Sequence, residues 1–323
     1  MKYTIWCNGA LSEKAMGMLR DGLRAHRLIL AGKALPAATD AGEAETTIAD
    51  ADIALGQPGL EDCLRHRNLK WVALTSAGYT RFDNPGFKED FLERNAILTN
   101  MSSVFADPCA QQALAMILAV ARQLLPAQRD QLDGRNWNYA ERRHGTVSLT
   151  GQNVLLLGYG AIGKRLAELL GPLHVKLYAV RRQVRSERGL TVVPEEQLTG
   201  LLPEMDHVVN LLPENDATRN YVNARRLSAF KPGACFYNIG RGTTVDQSAL
   251  AEALHAGRLA AAYLDVTDPE PLPLSHPLWA APNCYITPHI AGGRRDEYES
   301  IVSHFLANLS AFERGGEMID RIV

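Results

Sequence analysis

Three short segments carry the side-chain types needed for redox chemistry on a small charged molecule. Each follows an apolar run: Asn238-Ile239-Gly240-Arg241-Gly242, then Asp265-Val266-Thr267-Asp268-Pro269-Glu270-Pro271, then Thr287-Pro288-His289-Ile290-Ala291. Arg241 offers a forked cation to a substrate carboxylate, and His289 can give or take a proton at a carbonyl or alcohol oxygen. Glu270, if hydrogen-bonded to His289, would stabilise the protonated imidazolium. The set predicts hydride chemistry, with proton transfer, on a small charged molecule.

Each of these three residues has an ordinary structural alternative when it is taken alone. An arginine after a strand is commonly a surface ion-pair partner, a glutamate between two prolines can end a turn, and a histidine after proline can be a loop residue. Arg241, Glu270 and His289 become a functional hypothesis because they occur in this order behind a nucleotide-binding motif.

The nucleotide-binding motif is Gly158-Tyr159-Gly160-Ala161-Ile162-Gly163. It follows the apolar residues 154–157, which predict a buried strand, and precedes a helical pattern over residues 164–170. The first glycine permits a tight turn, the second lets the backbone approach a pyrophosphate, and the third lets helix and strand pack closely. The helix N-terminus then offers unpaired N–H groups to the phosphates. We therefore predict a dinucleotide cofactor.

The type of dinucleotide is predicted from the residues after the second strand of this unit. NAD-binding units usually place an acid there, about 20 residues past the glycines, to hold the ribose 2′-hydroxyl. This chain has Arg181-Arg182 instead, with Arg185 and Arg188 nearby and no acid before Glu187. Guanidinium groups suit a phosphate, so NADP(H) is the preferred cofactor, with NAD possible. The alternative is that these arginines form a solvated basic loop.

The elements around these segments alternate between strand and helix patterns, which predicts an α/β fold with parallel sheets. Strands are expected at residues 3–7, 28–30, 52–55, 71–75 and 96–99, and again at 154–157, 176–180, 207–211, 234–238, 261–265 and 284–287. We predict two Rossmann-like or flavodoxin-like domains. Residues 1–101 and 291–323 would form a discontinuous substrate domain, and residues 102–290 the dinucleotide-binding domain.

Several connecting segments also have predicted structures. Ser12 should cap a helix that runs toward residue 25, and residues 33–44 should form a surface loop. A long apolar helix is expected over residues 109–125, starting after Pro108 and broken near Pro126. The polar residues 128–146 should form a loop or arm.

Composition excludes several function classes. The chain has 323 residues, a net charge of -2 and a pI of about 6.5, so no basic surface for nucleic acid is expected. Its longest apolar stretch is too short to cross a membrane, and no secretory signal pattern is present. Five scattered cysteines favour reduced thiols in a cytoplasmic protein. Cys63 and His66 are too few ligands for a metal site, and we predict none.

Together these motifs resemble those of the D-isomer-specific 2-hydroxyacid dehydrogenase family, and in particular its glyoxylate and hydroxypyruvate reductases. The glycine motif and the Arg241, Glu270 and His289 segments occur in that family's order, and Ala77-Gly78 resembles its substrate loop. The resemblance implies an active site in the cleft between the two domains and a homodimer. It also implies catalysis by Arg241, Glu270 and His289, and substrate binding by Ala77, Gly78 and Arg241. It further implies that the cofactor contacts include Leu212, Pro213, Thr218, Ile239, Gly240 and Asp265.

The chain departs from the family pattern at two places. Gln111-Gln112 stand where family members often carry an acid and a histidine, and Tyr79-Thr80 replace a small apolar residue and an aspartate. These departures suggest altered specificity or domain packing. The expected function is an NADP(H)-preferring reductase of glyoxylate, hydroxypyruvate or similar 2-keto acids. The alternatives are a non-enzymatic nucleotide-sensing scaffold of the corepressor type, and a dehydrogenase for phosphoglycerate or a phosphonate.

Overall fold

The computed structural model describes residues 2–35, 46–181, 187 and 189–323. The chain divides into two compact units. Unit 1 comprises Met1–Phe105 and Arg294–Val323, and unit 2 comprises Ala106–Gly293. Both boundaries lie a few residues beyond those expected from the sequence, and the first falls inside a helix. The chain leaves unit 1 once and returns to it.

The strands and helices of the described residues alternate along the chain. The strands are β1 (Thr4–Gly9), β2 (Arg27–Leu35), β3 (Ile53–Gly56), β4 (Trp71–Leu74), β5 (Ile97–Thr99), β6 (Asn153–Leu157), β7 (Lys176–Val180), β8 (Leu190–Val193), β9 (His207–Asn210), β10 (Ala234–Asn238), β11 (Leu259–Leu264) and β12 (Cys284–Ile286). The α-helices are α1 (Glu13–Gly22), α2 (Leu60–Arg65), α3 (Pro85–Glu93), α4 (Ser102–Ala121), α5 (Leu124–Leu132), α6 (Tyr139–Gly145), α7 (Ala161–Leu170), α8 (Leu198–Leu201), α9 (Ala224–Ala229), α10 (Gln247–His255) and α11 (Glu297–Arg314).

Unit 1 is built on a five-stranded parallel sheet in the order β2-β1-β3-β4-β5. Its central strands are buried on both faces, which explains their nearly continuous apolar sequences. On one face Trp71 stacks on Phe305 of α11, with ring centroids 5.0 Å apart. Ser12 caps α1, as predicted, by accepting a hydrogen bond from the Ala15 N–H.

Unit 2 is built on a seven-stranded parallel sheet in the order β12-β11-β10-β9-β6-β7-β8. The chain proceeds from β6 outward to β8 and then returns to β9 on the other side of β6. This reversal creates a crevice at the carboxyl ends of β6 and β9, where open α/β sheets bind ligands. The predicted α/β class with two parallel-sheet domains is therefore confirmed.

The sequence patterns missed β8 and shortened β2. Strand β8 is a four-residue edge strand, and most of its residues are only partly buried, so its apolar signal is weak. Strand β2 is also an edge strand and runs from Arg27 through Leu35, well beyond the predicted residues 28–30. The expected surface loop at residues 33–44 is thus wrong at its start, and the rest of it lies outside the described residues.

The long apolar helix begins earlier and ends earlier than predicted. Helix α4 starts at Ser102 and contains Pro108, although a proline was expected to precede it. The helix tolerates the missing N–H of Pro108 at the loss of one backbone hydrogen bond. It ends before Gln123, whose φ of 58° is left-handed. Helix α4 is long and apolar enough to pass a composition test for a membrane span, but half of that stretch is buried within the protein.

The polar segment expected to be a loop or arm is largely helical. Helices α5 and α6 cover most of residues 124–145, and Pro126 lies in the first turn of α5, where its missing N–H has no helical partner to lose. Neither helix has a buried residue. A helix that buries no face needs no apolar residues at helical spacing. The sequence here has no such spacing, so its pattern did not indicate helices.

Candidate active site

The glycine motif forms the turn between β6 and α7. Gly158 has a φ of +99°, a conformation that side chains with a Cβ rarely adopt. A Cβ placed on Gly163 would lie 2.8 Å from the Gly158 carbonyl oxygen, so the third glycine allows the helix to pack against the turn. A Cβ on Gly160 would meet no atom within 4 Å, which leaves open space before the first turn of α7.

This open space fits the pyrophosphate of a dinucleotide. Gly160 is the N-cap residue of α7 and provides no side-chain hydrogen bond, so the N–H groups of the first turn remain available to an anion. Ala161 and Ile162 supply the first two helical residues. The local structure therefore has the form that the sequence motif predicts for a phosphate cradle.

The loops after β9 and β10 lie against each other beside this cradle. A Cβ on Gly240 would lie 2.6 Å from the Leu212 carbonyl oxygen, so these two loops are in backbone contact. In the first loop the Thr218 hydroxyl donates to the Pro213 carbonyl at 2.7 Å and accepts from the Asn215 N–H at 2.9 Å. Thr218 therefore shapes the loop, and Ile239 next to Gly240 is buried.

A buried polar network fixes the loop that carries Arg241. Asn210, at the end of β9, donates to the Asn238 side-chain oxygen at 2.9 Å and to the Thr244 hydroxyl at 2.7 Å. Asn238 and Thr244 each donate to the Arg241 carbonyl, at 3.1 and 2.6 Å. Sequence reasoning missed Asn210 and Thr244, although two adjacent strands that both end in asparagine were a legible signal.

The Arg241 guanidinium is held by its own loop and retains donors for a ligand. Its Nη1 donates to the Gly240 carbonyl oxygen at 2.7 Å. Across the described ranges of the chain, it forms no ion pair with a carboxylate within 4.0 Å. A partly buried guanidinium without a carboxylate partner is suited to binding an anionic substrate group.

Glu270 and His289 form a hydrogen-bonded pair. The distance between Glu270 Oε2 and His289 Nδ1 is 2.7 Å, and each side chain is 34% exposed. Burial opposes ionisation of Glu270, but hydrogen bonds from His289 and from the Thr267 N–H, together with the charge of Arg241, lower the pKa of the carboxyl below its ordinary value. Glu270 is therefore a carboxylate that accepts from Nδ1, which leaves Nε2 of His289 for proton exchange with a substrate.

The loop that carries His289 is organised by Asp265, which is almost completely buried. Asp265 Oδ1 accepts from the Thr287 hydroxyl at 2.6 Å and from the Ile290 N–H at 3.1 Å, and Oδ2 accepts from the Ala291 N–H at 2.9 Å. Its backbone carbonyl accepts from the His289 N–H at 2.8 Å. His289 itself has a left-handed φ of 52°, which this set of bonds imposes.

The loop that carries Glu270 packs directly on the arginine loop. A Cβ on Gly242 would lie 2.0 Å from the Thr267 carbonyl carbon, so only glycine allows this approach. Gln247, in the first turn of α10, donates to the Asp268 carbonyl and accepts from the Asp268 N–H at 3.1 Å. Contacts between these segments thus bring the Arg241 and Glu270 loops together.

The arginines expected to select the cofactor are only partly described. Arg181 follows β7 directly, next to the glycine motif, and its guanidinium forms an ion pair with Glu187 at 2.9 Å. Arg182 lies outside the described residues, as do Arg185 and Arg188. In the sequence the first acid after β7 is Glu187, six residues beyond Arg181, and the structure brings its carboxylate into contact with Arg181.

The predicted substrate loop follows β4 in unit 1. The Ser76 hydroxyl donates to the Gly78 carbonyl at 2.6 Å, and Asn100 donates to the Ala77 carbonyl at 2.7 Å. The N–H groups of Ala77 and Gly78 have no hydrogen-bond partner among residues 46–181 or elsewhere in the described structure. Arg81 donates to the buried Gln57 side chain at 2.6 Å, a contact that the sequence did not suggest.

Comparisons with known proteins agree with this arrangement. Residues 114–291 match the family model described as D-isomer specific 2-hydroxyacid dehydrogenase, NAD binding domain. The chain is 32% identical over 255 residues to the glyoxylate reductase of Aeropyrum pernix, covering 76% of this chain and 74% of that protein.

Two solved structures are similar over nearly their whole length. The D-isomer specific 2-hydroxyacid dehydrogenase of Xanthobacter autotrophicus, in complex with NADPH and MES, has a TM-score of 0.82 at 26% identity and covers 100% of this chain and 98% of that one. The NADPH-dependent glyoxylate/hydroxypyruvate reductase of Sinorhizobium meliloti, in complex with NADP and malonate, has a TM-score of 0.77 at 26% identity, with coverage of 100% and 97%. The chain therefore belongs to the D-isomer-specific 2-hydroxyacid dehydrogenases and is a nicotinamide-dependent oxidoreductase of 2-hydroxy acids.

Proposed function

We propose that this protein reduces small 2-keto acids, such as glyoxylate and hydroxypyruvate, with NADPH as the preferred cofactor. The observation that carries the proposal is the hydrogen bond between Glu270 and His289, in the same unit as a guanidinium that has no carboxylate partner among the described residues. The named activities of the Aeropyrum and Sinorhizobium relatives support this choice of substrate class.

The chain's own residues have complementary roles in this reaction. Arg241 binds the substrate carboxylate and stabilises the negative charge that develops on the carbonyl oxygen. His289 Nε2 donates a proton to that oxygen, while Glu270 holds the imidazole through Nδ1 and stabilises its protonated form. A bound nicotinamide cofactor supplies the hydride. In the reverse direction His289 takes the proton from the hydroxyl group.

The local geometry supports further cofactor and substrate contacts outside this set. The first turn of α7 would hold the pyrophosphate, and the loops containing Leu212-Pro213 and Ile239-Gly240 would lie along the rest of the dinucleotide. The open N–H groups of Ala77 and Gly78 would bind a carboxylate. Asp265 has its oxygens engaged by its own loop, so we assign it mainly to holding His289 and, through a remaining lone pair, to the nicotinamide amide.

The preference for NADPH rests on the arginine after β7. An Arg181 guanidinium can bind a 2′-phosphate, and the end of β7 carries no carboxylate of its own to hold a ribose hydroxyl. Both solved relatives cited above contain NADP or NADPH. Steady-state oxidation of NADPH and NADH with a panel of 2-keto acids tests this choice. Equal efficiency with both cofactors would refute the preference.

Substitution of His289 tests the acid–base role separately from cofactor choice. His289→Asn should lower kcat by about 10²- to 10⁴-fold and leave the Kd for NADPH nearly unchanged. Arg241→Lys keeps the charge but loses the fork, so it should raise KM for the keto acid and lower kcat. A His289→Asn variant with normal turnover would exclude the proposed mechanism.

A homodimer is the expected assembly, and helices α5 and α6 offer the surface for it. Four large apolar side chains in and between these two helices are solvent-exposed, which is an unusual density for a protein surface. Their exposed fractions are 56% for Leu124, 75% for Leu132, 90% for Trp137 and 60% for Tyr139. A second copy of the chain would cover these side chains. Light scattering on the purified protein should give twice the 35.4 kDa chain mass, and Trp137→Ser should shift it toward the monomer.

A cytoplasmic location is also proposed, because all five cysteines are unpaired thiols. Burial raises the pKa of Cys7, Cys63, Cys109, Cys235 and Cys284, so none is a reactive thiolate. Fractionation of the native host, with the enzyme activity as the marker, checks this assignment. Recovery of the activity in an oxidising extracytoplasmic fraction would contradict it.

A further inference from the structure

Three side chains form a compact cluster at the end of β7, beside the glycine motif. Arg181 Nη1 donates to Glu187 Oε1 at 2.9 Å, and the Arg181 guanidinium carbon lies 5.8 Å from the centroid of the Tyr159 ring. Arg181 and Glu187 are only 24 and 31% exposed, so solvent screens their interaction incompletely. Glu187 thus accepts from the Arg181 guanidinium, which lies over the Tyr159 ring.

The position of Glu187 is set by the backbone as well as by these side chains. The Leu190 N–H donates to the Glu187 carbonyl, and the two residues form a short antiparallel bridge at the start of β8. Gly189, which precedes Leu190, has a φ of +78°. The Glu187 backbone is therefore held at the start of β8, and its carboxylate contacts Arg181.

The Tyr159 hydroxyl is a neutral group beside this ion pair. Burial, together with the nearby Glu187 carboxylate, raises the pKa of Tyr159 to about 12. The hydroxyl therefore keeps its proton throughout the physiological range and adds no charge at the end of β7.

This cluster lies where a bound dinucleotide presents its ribose 2′ position. In a Rossmann unit that position is recognised by the residue after the second strand, next to the glycine motif, and here that residue is Arg181. A 2′-phosphate brings a negative charge of about 1.5 to 2, whereas a 2′-hydroxyl is neutral and can donate to a carboxylate. Glu187 would repel the phosphate and compete with it for the Arg181 guanidinium.

We infer that Glu187 determines cofactor specificity by opposing the 2′-phosphate that Arg181 attracts. The inference deepens the proposed function, because it assumes that a dinucleotide binds this unit. The Glu187 carboxylate then lowers the affinity for NADPH relative to NADH, so the preference for NADPH is smaller than Arg181 alone would give. Removing the carboxylate charge should release Arg181 and shift binding toward the phosphorylated cofactor.

A matched control is available in the same unit. Glu195 accepts from the Tyr221 hydroxyl at 2.5 Å and pairs with Arg226 at 2.6 Å, and the Arg226 guanidinium lies 3.7 Å from the Tyr221 ring centroid. This second cluster has the same three residue types but follows β8. Glu195→Gln therefore removes an equivalent charge and hydrogen bond away from the end of β7.

The test measures binding of two adenosine ligands that differ only in the 2′-phosphate. Isothermal titration of the full chain with adenosine 2′,5′-bisphosphate and with 5′-AMP gives a ratio of affinities for each variant. Glu187→Gln should raise the preference for the bisphosphate by about fivefold, the size expected for release of a partly exposed ion pair. Glu195→Gln should leave the ratio unchanged, and Arg181→Gln should lower it.

The double variant identifies the route of the effect. In an Arg181→Gln background, Glu187→Gln should give a smaller gain, because the guanidinium that it releases is absent. An unchanged or reduced ratio in the single Glu187→Gln variant overturns the inference. These outcomes are separate from failure of the proposed function. Absence of keto-acid reduction, or an overall preference for NADH, would contradict the proposed NADPH-dependent reductase. The direction of the Glu187→Gln shift would still test the role of Glu187.

Discussion

Replacing the Asp265 carboxylate by an amide should destabilise unit 2 and disable the His289 loop. The two carboxylate oxygens accept three hydrogen bonds, from the Thr287 hydroxyl and from the N–H groups of Ile290 and Ala291. An asparagine has one oxygen and one NH₂ group, so in either orientation an NH₂ donor faces a backbone N–H donor. The Thr287 hydroxyl can rotate to accept instead, but a backbone N–H cannot.

The magnitude follows from the groups left unpaired. Leaving one buried N–H without an acceptor costs about 1–3 kcal/mol, and loss of the charge from the remaining bonds adds to it. We therefore expect Asp265→Asn to reduce the free energy of unfolding by about 2–3 kcal/mol. For a unit of this size the corresponding fall in Tm is about 4–12 °C. Because the carboxylate's bonds to Ile290 and Ala291 hold the loop that carries His289, kcat should fall as well.

Thermal unfolding followed by circular dichroism, combined with kcat and cofactor KM, measures both effects. The control is Asp246→Asn, since Asp246 accepts one N–H, that of Ala249, as the N-cap of α10. Asparagine is an equally good N-cap, so this variant should unfold within about 0.5 kcal/mol of the parent protein. If Asp265→Asn matches that control in both Tm and kcat, Asp265 does not hold the loop. A rise in cofactor KM alone would assign it to the nicotinamide amide only.

Three further outcomes are expected in unit 2. Gly242→Ala places a Cβ 2.0 Å from a neighbouring carbonyl carbon and should lower both Tm and kcat. Gly171→Ala is the control: Gly171 has open space around it, so both values should stay near those of the parent protein. Equal effects of the two substitutions in thermal melts and activity assays would contradict this. Asn210→Asp puts a carboxylate oxygen against the Asn238 side-chain oxygen and should cost about 1–3 kcal/mol of stability, measured by urea denaturation. The pKa of Glu270 is lowered from 4.5, so the ionised carboxylate should contribute fully to stability above that value and lose this contribution as the pH falls through the lower folded-state pKa. The difference in unfolding free energy between the parent protein and Glu270→Gln, measured against pH, should follow this course. A difference that grows in acid would refute it.

The sequence predicted those features that depend on local pattern. Eleven strands left a readable apolar run, and most of these strands are largely buried; the glycine motif specified its own turn. Strand β8 was missed because it is a short edge strand with a single buried residue, Val193. Helices α5 and α6 were missed because neither buries a side chain, so no apolar stripe marks them.

The chemistry-bearing residues were also legible, since Arg241, Glu270 and His289 occur at the ends of predicted strands. What the sequence did not reveal is how their loops are held. Asn210 and Thr244 support the Arg241 loop through hydrogen bonds that span 28 to 34 residues of chain. No periodicity encodes such contacts, because they depend on which strands become neighbours in the sheet.

Glu187 illustrates the same limit at the cofactor site. A search of the sequence for an acid immediately after β7 finds none, and that absence predicts NADP(H) as the preferred cofactor, with NAD possible. The structure places the Glu187 carboxylate, six residues farther along, against Arg181, and the Glu187 backbone forms a short bridge with Leu190 at the start of β8. If Glu187 opposes a 2′-phosphate as we infer, cofactor choice depends on the difference between an attracting guanidinium and a repelling carboxylate. Substitution of Arg181 and substitution of Glu187 should then move the preference in opposite directions.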